Sequence, residues 1–310
     1  MSDKATRDSF GETLKALGAE MPNLVVLDAD LSVSTKSALF AKAYPDRFFQ
    51  MGIAESNMVG TAAGLAFTGF VPFICSFGAF VAGRYETIRV SVGYSKANVK
   101  IVGTHAGLGT GEDGYTQMGL EDVNVLRGLP GMSILQPSDH FSAVAAVRYA
   151  AKTEGPFYLR LTRQKLPQIY KSADDFQFGK AAILKEGGSK DAVALLATGG
   201  TTGETLKASE SLSKHQPWVV DFTTLKPIDT ETIQMLAKRC KHIITIEDHN
   251  VIGGLGSAVA EVLAETGFSG RLHRIGMGEE YGVSGTPAGL YEAFGLSAPK
   301  LVERVQALIR

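Results

Sequence analysis

Residues 47–75 read RFFQMGIAESNMVGTAAGLAFTGFVPFIC, and this stretch decides the fold. RFFQMGI is an aromatic run that reads as a strand. Ser56–Phe67 is a run of small and apolar residues long enough for a helix, Thr68-Gly69 supplies a turn, and VPFIC reads as a returning strand. Between Glu55 and Arg84 there is no charged residue, which is long enough to raise the question of a membrane span. Gly60, Gly64, Gly69, Pro72, Gly78 and Gly83 interrupt it, so a helix, a turn and a strand explain it better. So long an uncharged stretch is expected to be buried on nearly all sides, partly as core and partly as subunit interface.

The same alternation continues outward in both directions. NLVVLDAD, NVKIVGT, MSILQP and PFYLRL read as strands, and helices are expected at DSFGETLKALGAE, Val81–Val92, Glu121–Leu129 and Asp139–Lys152. Strands alternating with helices predict an α/β fold with a mostly parallel sheet covered on both faces, whose ligands bind beyond the carboxyl ends of the strands. This first domain is placed at residues 1–170. A polar stretch with a proline and a glycine pair follows, read as a linker over 171–190 with room for one hairpin. A smaller α/β domain at 191–310 then has strands at AVALLAT, WVVDF, HIITIED and RLHRIG.

Composition narrows the class. The 310 residues are 45% hydrophobic and 20% charged, the balance of a chain able to bury a real core. Lysine plus arginine number 31 and aspartate plus glutamate 32, a net charge of −1 that argues against a nucleic-acid or anionic-membrane partner. Cys75 and Cys240 lie in apolar surroundings without ligand spacing and read as buried free thiols in a reducing compartment. The N-terminal residues are polar and charged with no apolar run, so a cytoplasmic protein is expected.

Three clusters fall at predicted strand ends. In GIAESNMVG (52–60), Glu55 opens a helix, where a plain capping acid is the simplest reading. THAGLGTGEDGYTQMGLED (104–122) is a glycine-dense loop carrying His105, Glu112, Asp113 and Gln117; without a nucleotide-loop pattern, it could equally be a solvated surface loop. In LRLTRQKL (159–166), Arg160 and Arg163 flank the last strand of the first domain, either as ordinary surface charges or as partners for a phosphate or carboxylate.

Taken in order, these segments resemble the second half of transketolases. GIAESNM is similar to the family segment whose glutamate meets the aminopyrimidine of thiamine diphosphate, and CSFGAFV to the one whose aromatic rings hold it. HAGLGTGEDGYTQ, LTRQKL, ADLSVST, ATRDSF and IEDHNVIGGLGSAV each match a further family segment. The resemblance implies a pyrimidine-binding domain followed by a transketolase C-terminal domain. It implies cofactor contacts from Glu55, Phe77, Phe80 and Asp30, and substrate contacts from Arg7, Ser34, His105, Asp113 and Arg163. It also implies catalytic roles for Glu55, His105 and the position of Gln117. Glu55 would need to carry or share a proton in a setting shielded from water.

One departure stands out: the family has a histidine where this chain has Gln117, and glutamine hydrogen-bonds but cannot act as acid or base near neutral pH. The family's Mg²⁺ site, a GDG motif followed further on by asparagine, is not in the sequence; Gly111-Glu112-Asp113-Gly114 belongs to the substrate loop. The resemblance therefore implies Mg²⁺ ligands on a separately encoded diphosphate-binding subunit, with self-association into a heterotetramer. The implied reaction is ketol transfer between sugar phosphates. Alternatives within the fold are the pyrimidine-binding (beta) chain of a 2-oxo acid dehydrogenase and the C-terminal half of deoxyxylulose-phosphate synthase; outside catalysis, a regulatory subunit.

Overall fold

Continuous apolar runs form the central strands, because a strand buried on both faces has no solvent side to mark with polar residues. The computed structural model describes residues 3–188 and 192–310. Among them the strands are β1 (Lys4–Ala5), β2 (Leu24–Asp28), β3 (Phe48–Gln50), β4 (Val71–Phe77), β5 (Lys100–Thr104), β6 (Ser133–Leu135), β7 (Phe157–Arg160) and β8 (Lys165–Leu166). They continue with β9 (Ala182–Lys185), β10 (Ala192–Ala197), β11 (Trp218–Asp221), β12 (Thr224–Lys226), β13 (Cys240–Asn250) and β14 (Arg271–Met277).

The first sheet runs β12-β6-β7-β5-β4-β2-β3, parallel except for β12. The two strands of residues 47–75 do not pair with each other. Both pair with β2, one on each side, with the helix Glu55–Phe67 crossing between them. Alternate residues of the central strands then serve opposite faces. Val25, Leu27 and Ile74 pack with Met58, Val59, Ala62 and Ala63 of that helix. Val26, Phe73 and Cys75 pack with Phe10, Leu14 and Leu17 of helix Thr6–Glu20 and with Val147 and Ala150 of helix His140–Lys152. Cys75 and Cys240 are both buried and unpaired.

The second sheet runs β14-β13-β10-β11-β9, parallel except for β9. Two features cross the boundary expected from sequence. Part of the stretch read as a linker, Ala182–Lys185, is the edge strand β9 of this sheet. And β12, which follows β11 in the chain, turns back to close the edge of the first sheet against β6. The helix expected over Val81–Val92 is instead broken into Gly78–Ala82, Tyr85–Ile88 and a π-turn Arg89–Tyr94, because the chain leaves helical geometry at Arg84. The strand RFFQMGI stops at Gln50; Gly52 sits at φ +69 and turns the chain toward Glu55.

Within the uncharged stretch β4 is buried throughout, whereas its helix is covered on one face only within this chain. On helix Glu55–Phe67 the residues Ser56, Asn57, Gly60 and Gly64 face outward, and Phe67 is 64% exposed. Among the described residues, no helix is long and apolar enough to cross a membrane.

Candidate active site

The parallel strands β2, β3, β4 and β5 present their carboxyl ends along one edge, and the loops that leave that edge carry the candidate residues. β4 and β5 are in register there, Phe77 beside Thr104. Phe77 stacks on Phe80 one helical turn later, with ring centroids 5.3 Å apart and planes 21° from parallel. On its other side it stacks on His105 at 3.7 Å and 27°.

His105 is buried, and its backbone adopts φ +55, an unusual conformation for a residue other than glycine. Its Nε2 lies 3.0 Å from Nη1 of Arg7. A guanidinium only donates, so Nε2 accepts and the ring proton sits on Nδ1. Nδ1–H then donates to Thr104 Oγ1 at 2.9 Å, and the Thr104 hydroxyl is left to donate toward the Ser76 carbonyl at 3.5 Å. Burial, with Arg7, Arg163 and Lys36 adding to it, pushes the imidazole pKa down to about 3, so the ring is neutral.

Arg7 comes from the first turn of helix Thr6–Glu20 and also donates to the Ser34 carbonyl at 3.1 Å. Its Nε is buried without a hydrogen-bond partner among the described residues. Its pKa is lowered, chiefly by burial; Asp8 and Asp113 oppose that shift and Arg163 adds to it, which places Asp113 and Arg163 within electrostatic reach. Asp28 ties down the turn that carries Ser34: its carboxylate accepts from Leu31 N at 2.6 Å, Thr35 Oγ1 at 2.7 Å and Ser37 Oγ at 2.8 Å.

The glycine-dense loop is pinned at its base. Gly119 N donates to the His105 carbonyl at 3.2 Å, and Gly107 N donates to Gly119 O at 2.9 Å. Thr110 Oγ1 adds a bond to the same His105 carbonyl at 2.7 Å. Arg163 braces the outer part, donating to Thr110 O at 2.8 Å and pairing with Glu112 at 3.0 Å. Asp113 is exposed at the end of the 3-10 segment Leu108–Asp113, and Gln117 is half-buried at the end of Tyr115–Gln117.

Phe80, Phe77, His105, Arg7 and Ser34 therefore form one unbroken chain of contacts, with Arg163 and Asp113 beside it. Glu55, Asp30 and Gln117 stand on neighbouring loops beyond β3, β2 and β5. Glu55 is the first residue of its helix and 7% exposed. Asp30 is exposed at φ +64, its N–H bonded to Gln50 Oε1 at 2.7 Å. Sequence reasoning missed Thr104, which orients His105, and Asp28, which braces the turn bearing Ser34; both are short polar residues at strand ends, and nothing local distinguishes them. With Phe77 stacked between Phe80 and His105, the half-buried Phe80 ring, backed by Phe77, is the apolar surface left to meet an aromatic ring. Among the described residues no cluster of three or more histidine, cysteine or acidic side chains is placed to hold a metal.

Comparison with known proteins identifies the fold that carries this site. The transketolase pyrimidine binding domain matches residues 2–168, and the transketolase C-terminal domain matches residues 179–301. A protein of Methanocaldococcus jannaschii named as a transketolase C-terminal section is 43% identical over 307 residues, covering 97% of this chain and 95% of its own. A subunit from Clostridium sp. (strain MSTE9), SqwH, named a 6-deoxy-6-sulfo-D-fructose transketolase subunit, is 38% identical, covering 96% of this chain and 92% of its own. Among solved structures, a split gene transketolase described as an inactive beta4 tetramer superimposes with a TM-score of 0.89 at 44% identity, covering 98% of each chain. The fold, the order of its two domains and these matches agree: the chain belongs to the transketolase family, and it is similar over its whole length to the C-terminal section of split transketolases.

Proposed function

We propose that this chain is the pyrimidine-holding subunit of a thiamine diphosphate-dependent transketolase, transferring a two-carbon ketol unit between sugar phosphates once a diphosphate-binding partner chain is present. The observation that carries this reading is the continuous path from an aromatic wall, Phe80 and Phe77, through neutral His105 to Arg7. An aromatic ring and an anionic sugar tail bound together need that sequence of surfaces.

When bound, thiamine diphosphate supplies a carbon nucleophile and an electron sink. Glu55, shielded at the head of its helix, would share a proton with the pyrimidine ring nitrogen, Phe80 and Phe77 would form the aromatic wall beside that ring, and Asp30 would approach it from the loop after β2. Arg7, Ser34 and Arg163 receive the terminal phosphate, since guanidinium groups match its oxygens with charge-assisted bonds. Asp113 accepts a hydrogen bond from a substrate hydroxyl. His105, neutral and locked by Arg7 and Thr104, serves as a hydrogen-bonding group for the sugar and not as a proton carrier. Gln117 positions substrate through its amide without moving protons.

Mg²⁺ and the diphosphate are assigned to the partner chain, because the GDG-plus-asparagine pattern is not in this sequence. A relative named as a C-terminal section, and another described as a split gene product inactive as a beta4 tetramer, support that division. The open face around Gly60, Gly64 and Phe67 is the surface assigned to self-association within a heterotetramer. A cytoplasmic setting goes with the two unpaired thiols.

The test is to mix this chain with the partner chain, Mg²⁺ and thiamine diphosphate. Ketol transfer is then followed from xylulose 5-phosphate and, given the name of one relative, from 6-deoxy-6-sulfofructose, with pyruvate as competing donor. Turnover on either sugar is expected, and Glu55→Gln should reduce it by at least about a hundredfold, in the range of general acid–base contributions. Turnover on pyruvate alone would favour the 2-oxo acid dehydrogenase class, and none at all a regulatory subunit. Gln117→His should raise activity on ordinary sugar phosphates; a loss would mean that glutamine is matched to a different substrate.

A further inference from the structure

Behind the substrate loop lies a group of buried charged residues that the proposed chemistry does not use. Arg160 ends β7 with its side chain 1% exposed. Its Nε donates to both oxygens of Asp122, at 3.1 and 3.0 Å. Nη1 donates to Asp248 Oδ1 at 3.0 Å, and Nη2 to the carbonyls of Gly119 at 2.7 Å and Asp248 at 3.2 Å. Asp122 also accepts from the Tyr158 hydroxyl at 2.5 Å. Asp248, on β13 of the second sheet, accepts from the Tyr291 hydroxyl at 3.0 Å, and Gln164 donates to that same tyrosine oxygen at 2.8 Å.

This group meets the base of the substrate loop directly. Gly119, whose carbonyl takes both Arg160 Nη2 and Gly107 N–H, is the residue whose own N–H holds the His105 carbonyl. Next to it, Leu120 O accepts from Asn250 N of β13 at 2.8 Å. Gly107 packs so closely on Asp248 that a Cβ there would lie 2.0 Å from the carboxylate, and its φ is +79. The C-terminal domain thus reaches the loop through a carboxylate, a backbone N–H and a steric stop.

We infer that Arg160, Asp248 and Tyr291 form an interdomain clamp that positions His105 and the substrate loop, so that the C-terminal domain sets sugar-phosphate recognition without touching the substrate. These are positioning residues. The wall assigned to the pyrimidine, Phe77 and Phe80, hangs from β4 and meets the clamp only at one remove, through His105 stacked on Phe77 and Gly78 packed beside Asp122. Loosening the clamp should therefore weaken substrate binding more than cofactor binding. The activity half of this inference rests on the transketolase reading above; the structural half does not.

The experiment uses Asp248→Asn, which keeps the shape and removes the charge, and the milder Tyr291→Phe. In the assembled enzyme, both variants should raise KM for the sugar phosphate, lowering kcat/KM by roughly 10- to 100-fold as expected for a small misplacement of binding groups. Thiamine diphosphate affinity, measured by titration, should stay within about twofold. In the chain alone, amide hydrogen exchange over residues 105–120 should be faster in both variants while β2 and β4 remain protected. Unchanged exchange in residues 105–120 would overturn the clamp, as would an equal loss of cofactor and substrate affinity. If the wild-type pair transfers no ketol unit from any sugar, the functional reading fails, and the exchange measurement still decides the clamp. Should Asp248→Asn not fold, Tyr291→Phe carries the same comparison.

Discussion

Arg160 and Arg163 lie three residues apart in one stretch, LRLTRQKL, yet the fold puts them to opposite uses. Arg160, the last residue of β7, is sealed between Asp122 and Asp248. Arg163, just past the strand, keeps its side chain 32% exposed and pairs with Glu112, whose side chain is 58% exposed. The first guanidinium has its donors taken up by partners within the chain; the second stands at the mouth of the site, with a loosely held partner that an incoming anion can displace. Residue type and strand-end position did not separate them. What separates them is whether a carboxylate arrives from elsewhere in the chain to neutralise the charge before a ligand can.

The largest effect expected from this contrast is on stability. Arg160→Ala leaves two buried carboxylates without their cation, and breaking a buried pair in this way costs about 3–5 kcal/mol. Arg163→Ala breaks an exposed pair and one bond to the Thr110 carbonyl, and should change stability by no more than about 1–2 kcal/mol. Urea unfolding of the two variants checks this, and equal losses would break the comparison. Next in size is the effect on substrate: Arg163→Ala should raise KM for a sugar phosphate by roughly tenfold or more, the loss of one charge-assisted interaction, with kcat nearly kept. A KM that does not move would remove Arg163 from phosphate recognition.

The smallest effect is on pH dependence. Folding lowers the His105 pKa from 6.5 to about 3, so the unfolded chain binds that proton more readily than the folded one. The His105 contribution is therefore intact above about pH 6.5 and is lost as pH falls toward 3. His105→Asn should flatten the acid side of the stability curve. In the assembled enzyme, the kcat/KM profile of the wild type should show no limb from His105 between about pH 6 and 8. A limb there that His105→Asn abolishes would mean that Arg7 does not hold the ring neutral.

Much of the architecture was legible before any coordinates. Strand, small-residue helix, turn and strand in residues 47–75 all form, and the faces of β2 and β4 follow the two-residue alternation of their apolar side chains. The errors have local causes. The helix expected through Val81–Val92 breaks at Arg84, where apolar spacing carries no information about a backbone that leaves helical geometry. The edge strand Ala182–Lys185 is short and surrounded by polar residues, so it reads as linker until β11 is there to pair with it. The uncharged stretch was expected to be buried nearly all round, and the chain does this for β4 but leaves the outer face of helix Glu55–Phe67 open.

The site divides in the same way. Phe77, Phe80, His105, Arg7 and Ser34 were singled out from sequence, and the fold brings them into contact. Thr104, which aims His105, and Asp28, which braces the turn bearing Ser34, were not, because a buried threonine or aspartate looks like any other until its partner is known.

The sequence by itself determined the central strands, most of the helices between them, the two-part layout and the family, because periodicity, turn chemistry and ordered motifs are properties of neighbouring residues. Only the tertiary structure decided which arginine is sealed, which nitrogen of His105 carries the proton, and that β12 returns to the first sheet. Those outcomes depend on burial and on partners far along the chain: Asp248 lies 88 residues from Arg160, and His105 lies 98 from Arg7. A charge buried beside such a partner behaves differently from the same charge in water.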